Sequence, residues 1–230
     1  MLQEAVCRLP SLMARLNAAT AVVYDDRQLL PGRVSSVDYR LFLMRLYGFH
    51  SVVEPALAAF RPLSAIVVDA GLRNHKAALL AHDLVGLGVD RREVVQLPRM
   101  RFTPPSELPE ALGWTYVLER ATLRGKLLAR RIARHLPDEI ARASAYLGCY
   151  GDEAVTRWRE LGDAVDGFAL GRLPAAVVRA RGPAVRATPD TVGHTERTCE
   201  RVVEAARDGA LQLHRWMGPV LQPRSSQRHA

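Results

Sequence analysis

Apolar residues in this chain recur every three or four positions, and no stretch alternates every second residue for long enough to make a strand. Leu9, Leu12, Met13, Leu16, Thr20 and Val23 fall on one side of a helix, because about 3.6 residues complete a turn. Tyr39, Phe42, Leu43, Leu46, Tyr47 and His50 make a second such stripe. The fold class this dictates is all-α.

Punctuation divides the pattern. A turn is expected around Pro31-Gly32, with Ser35 or Ser36 as the next N-cap. Pro55 is read as lying near the start of a third helical segment, Glu54 to Phe60. His75 to Leu87 forms another helix, stopped by Gly86 and Gly88. Pro98 to Pro109 reads as a loop. A long helix is predicted from Glu107 through Leu136, where Pro137 ends it. Asp138 is placed to cap a short helix ending near Gly148, and Glu153 to Val165 makes another. Residues 171–190 are less regular, with a helical option at Ala175 to Arg181, and the last helix spans Thr191 to Met217.

With 230 residues, 48% of them hydrophobic, the chain suits a single core. One domain is expected over 1–218, with 219–230 as a disordered tail. Three cysteines (Cys7, Cys149, Cys199) without metal-type spacing indicate a reducing, cytoplasmic setting. Cys149 sits in an apolar context and reads as structural. The N-terminus lacks the apolar run of a signal peptide. No apolar stretch approaches the ~18 residues of a membrane span. The net charge of +8 is carried by arginine, with Lys76 and Lys126 the only lysines. These charges are spread along the chain without interleaved aromatics, which argues against nucleic acid as a partner.

Four segments, in order, resemble the heme oxygenases. They are Leu16 to Tyr24; Asp38 to Leu43 continuing through Tyr47-Gly48-Phe49-His50 to Leu57; Leu112 to Glu119 with Thr122-Leu123 and Gly125; and Ala145 to Gly151 with Trp158-Arg159. Together they are similar to the bacterial, biliverdin-producing members associated with bacteriophytochromes. The resemblance implies a single-domain helical fold and oxidative opening of heme to biliverdin, iron and carbon monoxide. It also implies a heme held between the first helix and a distal helix, with a bacteriophytochrome or an electron donor as partner.

The resemblance places Tyr24 where the family carries the histidine that ligates iron. It places Arg120, Arg124 and Gly125 at three distal glycines, and Ala121 at a polar residue that organises water. Arg159 matches a basic residue near a heme propionate. Tyrosinate ligates heme iron in catalase. A phenol of reference pKa near 10, however, needs the iron or a cation to ionise, and a phenolate favours ferric iron. Two guanidinium groups also replace two hydrogens against a flat macrocycle. Weak or lost oxygenase activity is the expectation, with heme or another tetrapyrrole as the candidate ligand and no other cofactor. The alternative is a non-catalytic interaction or regulatory protein, or a binder of another anionic ligand, on the same scaffold.

Plainer readings stand beside these. Tyr24 also suits a core position. Arg120, Arg124 and Arg131 also suit a solvated stripe beside the apolar face Ala121, Gly125, Leu128, Ile132 and Leu136. His50 is read as a packed histidine, with an iron-ligand role as a weaker option. His50 and Glu54, four apart, form half of a metal pair. Neither His75, nor His82 with Asp83, nor His194 with Glu196 completes it.

Overall fold

The computed structural model describes residues 10–21, 23, 34–64, 66–67, 73, 75–172 and 189–221, with side chains in the last segment over 195–218. The described residues form helices and turns and no strand. The helices are α1 (Leu12–Thr20), α2 (Ser36–Ala59), α3 (Arg61–Ser64), α4 (Lys76–Gly86), α5 (Arg91–Gln96), α6 (Leu108–Thr122), α7 (Gly125–Ala133), α8 (Pro137–Arg142), α9 (Ala154–Ala169) and α10 (Pro189–Leu221). Among the described residues, no helix is long and apolar enough to cross a membrane.

Local chemistry fixes the starts. The Ser11 hydroxyl accepts from the Ala14 amide and begins α1. Ser35 and Asp38 form a reciprocal capping box for α2. Asp90 caps α5, a helix the periodicity does not signal. Glu107 and Glu110 close a box at α6. The first stripe then buries Leu12, Met13, Leu16 and Thr20, and the second buries Tyr39, Phe42, Leu43, Leu46 and Tyr47.

Three expectations are corrected. Pro55 does not begin a helix; α2 runs through it without interruption. Proline removes one backbone hydrogen bond, and here packing on either side, at Val53 and Leu57, holds the helix across that gap. The predicted long helix from Glu107 to Leu136 is two helices, parted at Leu123 and Arg124. The short helix after Pro137 ends at Arg142, and Ala145 to Tyr150 is a run of turns. Cys7, Pro31-Gly32, the segment Ala175 to Arg181, His194 and the tail from residue 222 lie outside what is described.

The core is a layer of helices around α6, and α10 lies along α6 in the most extensive helix contact. Small residues allow this approach. A Cβ on Gly113 would stand 2.7 Å from Ala205 Cβ and 2.8 Å from the Val202 carbonyl oxygen. Gly209 meets Trp114 and Val117 in the same way. Because the atoms facing Gly113 include backbone, they have little room to yield. Gly113→Val is expected to cost about 1–3 kcal/mol through overpacking, measured as a lower urea midpoint with the m-value unchanged.

Candidate functional site

α1, α6 and α9 meet at a polar junction. The Thr20 hydroxyl is fully buried, 2.9 Å from both the Leu16 carbonyl oxygen and the Tyr116 phenol oxygen. Tyr116 donates to Asn17 Oδ1 at 3.1 Å, so one phenol ties α6 to two turns of α1. Burial raises the Tyr116 pKa above the ordinary phenol value. Its ring leans on Trp158 of α9, with centroids 5.5 Å apart. The Arg120 guanidinium lies 5.7 Å from the Trp158 ring centroid, close enough for a cation–π contact.

The residues singled out from sequence divide between this junction and its surroundings. Tyr24 lies outside the described residues. Arg120 is half-buried at the junction. Ala121, also half-buried, packs against the core. Arg124 is the N-cap of α7, beyond the break after Thr122, so it does not share one continuous helix with Arg120. Gly125 is buried, and a Cβ there would overlap the Leu147 carbonyl oxygen. That glycine therefore lets α7 press against the Ala145–Tyr150 turns. Arg159 is exposed on α9 and stands apart from the junction.

A second polar assembly, not foreseen as a unit, fills the space between α2, α4, α6 and those turns. Lys76 is fully buried and uses all three ammonium protons, donating to the Arg73 carbonyl at 2.5 Å, Glu119 Oε1 at 3.0 Å and Tyr150 OH at 2.9 Å. Tyr150 in turn donates to Glu119 Oε1 at 2.9 Å. The Arg73 guanidinium, 3% exposed, faces Glu119 Oε2 at 3.4 Å and Glu160 Oε2 at 2.9 Å. Burial, followed by the Glu119 charge, drives the Tyr150 phenol far above its ordinary range. Burial likewise pushes the Cys149 thiol up to about 11, which agrees with an inert, structural cysteine.

His50 belongs to the same assembly. Glu54 accepts the amides of Lys76 and Ala77 at 3.0 and 3.2 Å and so caps α4 as a carboxylate. Since Glu54 is an acceptor, the His50 Nδ1–H donates to it at 2.9 Å. His50 Nε2 is then left to accept from Tyr146 OH at 3.3 Å. Both ring nitrogens are committed and the ring is fully enclosed. His50 is a packed histidine; as an iron ligand it is ruled out by this geometry. Asp83 completes the support of the turns, accepting the amides of Ala145 and Tyr146 at 2.8 Å each.

The fit to heme follows from this donor set. Among the described residues His50 is the one fully buried histidine, and no group of three or more His, Cys, Asp or Glu side chains is arranged to hold a metal ion. Between α1 and α6, Thr20 and Tyr116 touch directly, and Arg120 flanks them on Trp158. Among the described residues, then, the one fully buried histidine has no ring nitrogen free for iron.

Two outcomes test the buried assembly. Lys76→Met leaves Glu119 short of a partner and is expected to cost about 3 kcal/mol. Lys76→Met with Glu119→Gln should cost less than the two single changes summed, read from urea denaturation. Burial, the largest effect on His50, depresses its pKa. The folded state thus binds fewer protons than the unfolded chain once pH falls below about 6.5. Stability present above that pH is lost below it, and His50→Gln should flatten that part of the stability–pH curve.

A family model described as heme oxygenase matches residues 18–171. Searches of curated proteins and of solved structures return no match. The matched span begins within α1 and ends just after α9, so it takes in the α1–α6–α9 junction and the buried assembly together. The helical architecture, the order of the segments and this match over most of the chain lead to one conclusion: the chain belongs to the heme oxygenase family.

Proposed function

We propose that this chain is a heme oxygenase family member in which the usual iron ligation and turnover are impaired or lost. The observation that carries the reading is the donor set. The resemblance sets Tyr24 at the ligand position, and the one fully buried histidine among the described residues, His50, has both nitrogens engaged. Bound heme would supply the redox and oxygen chemistry of the family; the residues of this chain would bind and orient it. Arg120 and Arg124 would meet carboxylates as anion partners, because a guanidinium fork matches a carboxylate in geometry as well as charge. A phenolate at Tyr24 would favour ferric iron and oppose the reduction that oxygen binding requires.

A second reading, of a non-catalytic interaction protein on this scaffold, rests on the direct Thr20–Tyr116 contact, which occupies space between the two helices that enclose heme in the family. Hemin titration followed in the Soret region separates the two. Saturation near one equivalent, a band displaced by Tyr24→Phe, and little biliverdin after reductant and oxygen are the results expected of the first. Absence of saturable binding supports the second. Biliverdin formed at the rate of an ordinary heme oxygenase would overturn both. Tyr24→His combined with Arg120→Gly and Arg124→Gly is expected to strengthen hemin binding and bring the spectrum toward histidine ligation.

A further inference from the structure

The fold gathers arginines that the sequence scatters. The segment Pro98 to Met100 crosses α2 at Gly48, where the Met100 amide donates to the Gly48 carbonyl at 3.0 Å. A Cβ on Gly48 would strike both the Pro98 carbonyl and the Trp216 ring of α10, so all three pieces of chain meet there. Trp216 Nε1 donates to the Arg45 carbonyl at 2.7 Å, and the Arg45 guanidinium lies 4.6 Å from the centroid of that same ring. Arg99 stands 5.9 Å from the Tyr47 ring centroid. Gln212 donates to the Arg101 carbonyl and secures the far side of the crossing. Arg99, Arg101 and Arg215 are exposed, and Arg45 is half-buried.

No carboxylate pairs with any of these four arginines among the described residues, whereas Arg15, Arg73, Arg157 and Arg201 all have one. Two of the four are laid on aromatic rings, which limits their rotamers while leaving in-plane donors for a ligand. Less side-chain entropy then remains to be lost on binding. Beside them Val95 is 64% exposed, and its carbonyl accepts from Arg99 at 3.4 Å.

We propose that the Arg45–Arg99–Arg101–Arg215 surface at the α2–α10 crossing is a docking site for an acidic protein. Arginine and tryptophan beside a small apolar contact are among the residues that dominate protein interfaces. Opposite charge supplies steering and register. Nucleic acid is a poorer match, because the Trp216 and Tyr47 rings carry guanidinium groups where bases would stack.

The test uses the full chain and a fluorescein-labelled poly-glutamate peptide, followed by anisotropy at low salt. Arg45→Gln with Arg99→Gln is expected to weaken binding about tenfold, the scale of a modest interface hot spot. Arg101→Gln with Arg215→Gln, which disturbs no stacked ring, should weaken it in the same direction. Arg130→Gln with Arg134→Gln, an equal change of charge on α7, should leave affinity within about twofold. Quenching of tryptophan emission on binding should disappear in Trp216→Phe. Equal weakening by all three pairs, or no binding of the peptide, overturns the proposal. Tighter, patch-dependent binding of oligothymidylate or phosphatidylserine vesicles overturns it too, by giving the surface to another class of partner.

Discussion

A buried charge is tolerated only when its own hydrogen-bonding capacity is met, and in this protein that demand shapes the middle of the fold. Lys76 brings an ammonium group into a space with no water contact, where it finds a carboxylate, a phenol and a backbone carbonyl. Glu119 is shared with Arg73, which in turn reaches Glu160. Glu119 faces two cations, Arg73 and Lys76, while Glu54 accepts from a histidine whose charged form burial disfavours. Removing any one member leaves a charge whose desolvation is no longer offset. The assembly therefore fixes the relative placement of α2, α4, α6 and the Ala145–Tyr150 turns more strictly than apolar contacts alone would.

That placement reaches the junction of α1, α6 and α9. Glu119 is the neighbour of Arg120, and Tyr150 ends the turns whose Leu147 carbonyl faces Gly125. The bend between α6 and α7 is thus held from its buried side. On the other side, Tyr116 bonds across to α1, and Trp158 carries the Arg120 guanidinium on its face. The α6–α7 bend is held by side chains and backbone of the chain itself.

The helices were legible wherever their cause is local. The stripes in α1 and α2 follow from spacing alone, and the Ser35 cap from a hydroxyl before the first apolar turn. Pro55 was misleading because the rule that proline ends a helix yields when both flanks are packed. The bend at Leu123–Arg124 had no proline to announce it, and the residue packed against it at Gly125, Leu147, is distant in the chain. The buried assembly was illegible for the same reason, since Lys76 lies 43 positions from Glu119 and 74 from Tyr150. A faint signal did exist. Lysine occurs twice in an arginine-rich chain, and a compact ammonium with three separate donors suits a small buried space better than a planar fork. Of the candidate site, Arg120 fell at the junction, Arg124 and Gly125 fell at the bend below it, and Arg159 fell on the surface.

The Gly125 contact bears on how such proteins are recognised as kin. Its missing Cβ is required by a carbonyl of the same chain, a requirement that stands whether or not anything is bound. Of the two arginines that the resemblance sets at neighbouring glycine positions, Arg120 rests on Trp158 and Arg124 starts α7. In a lineage that stopped using heme, the first and second glycines of the trio would be free to drift while the third stayed fixed by architecture. A glycine at that point is therefore demanded by the fold, and by itself says nothing about the chemistry.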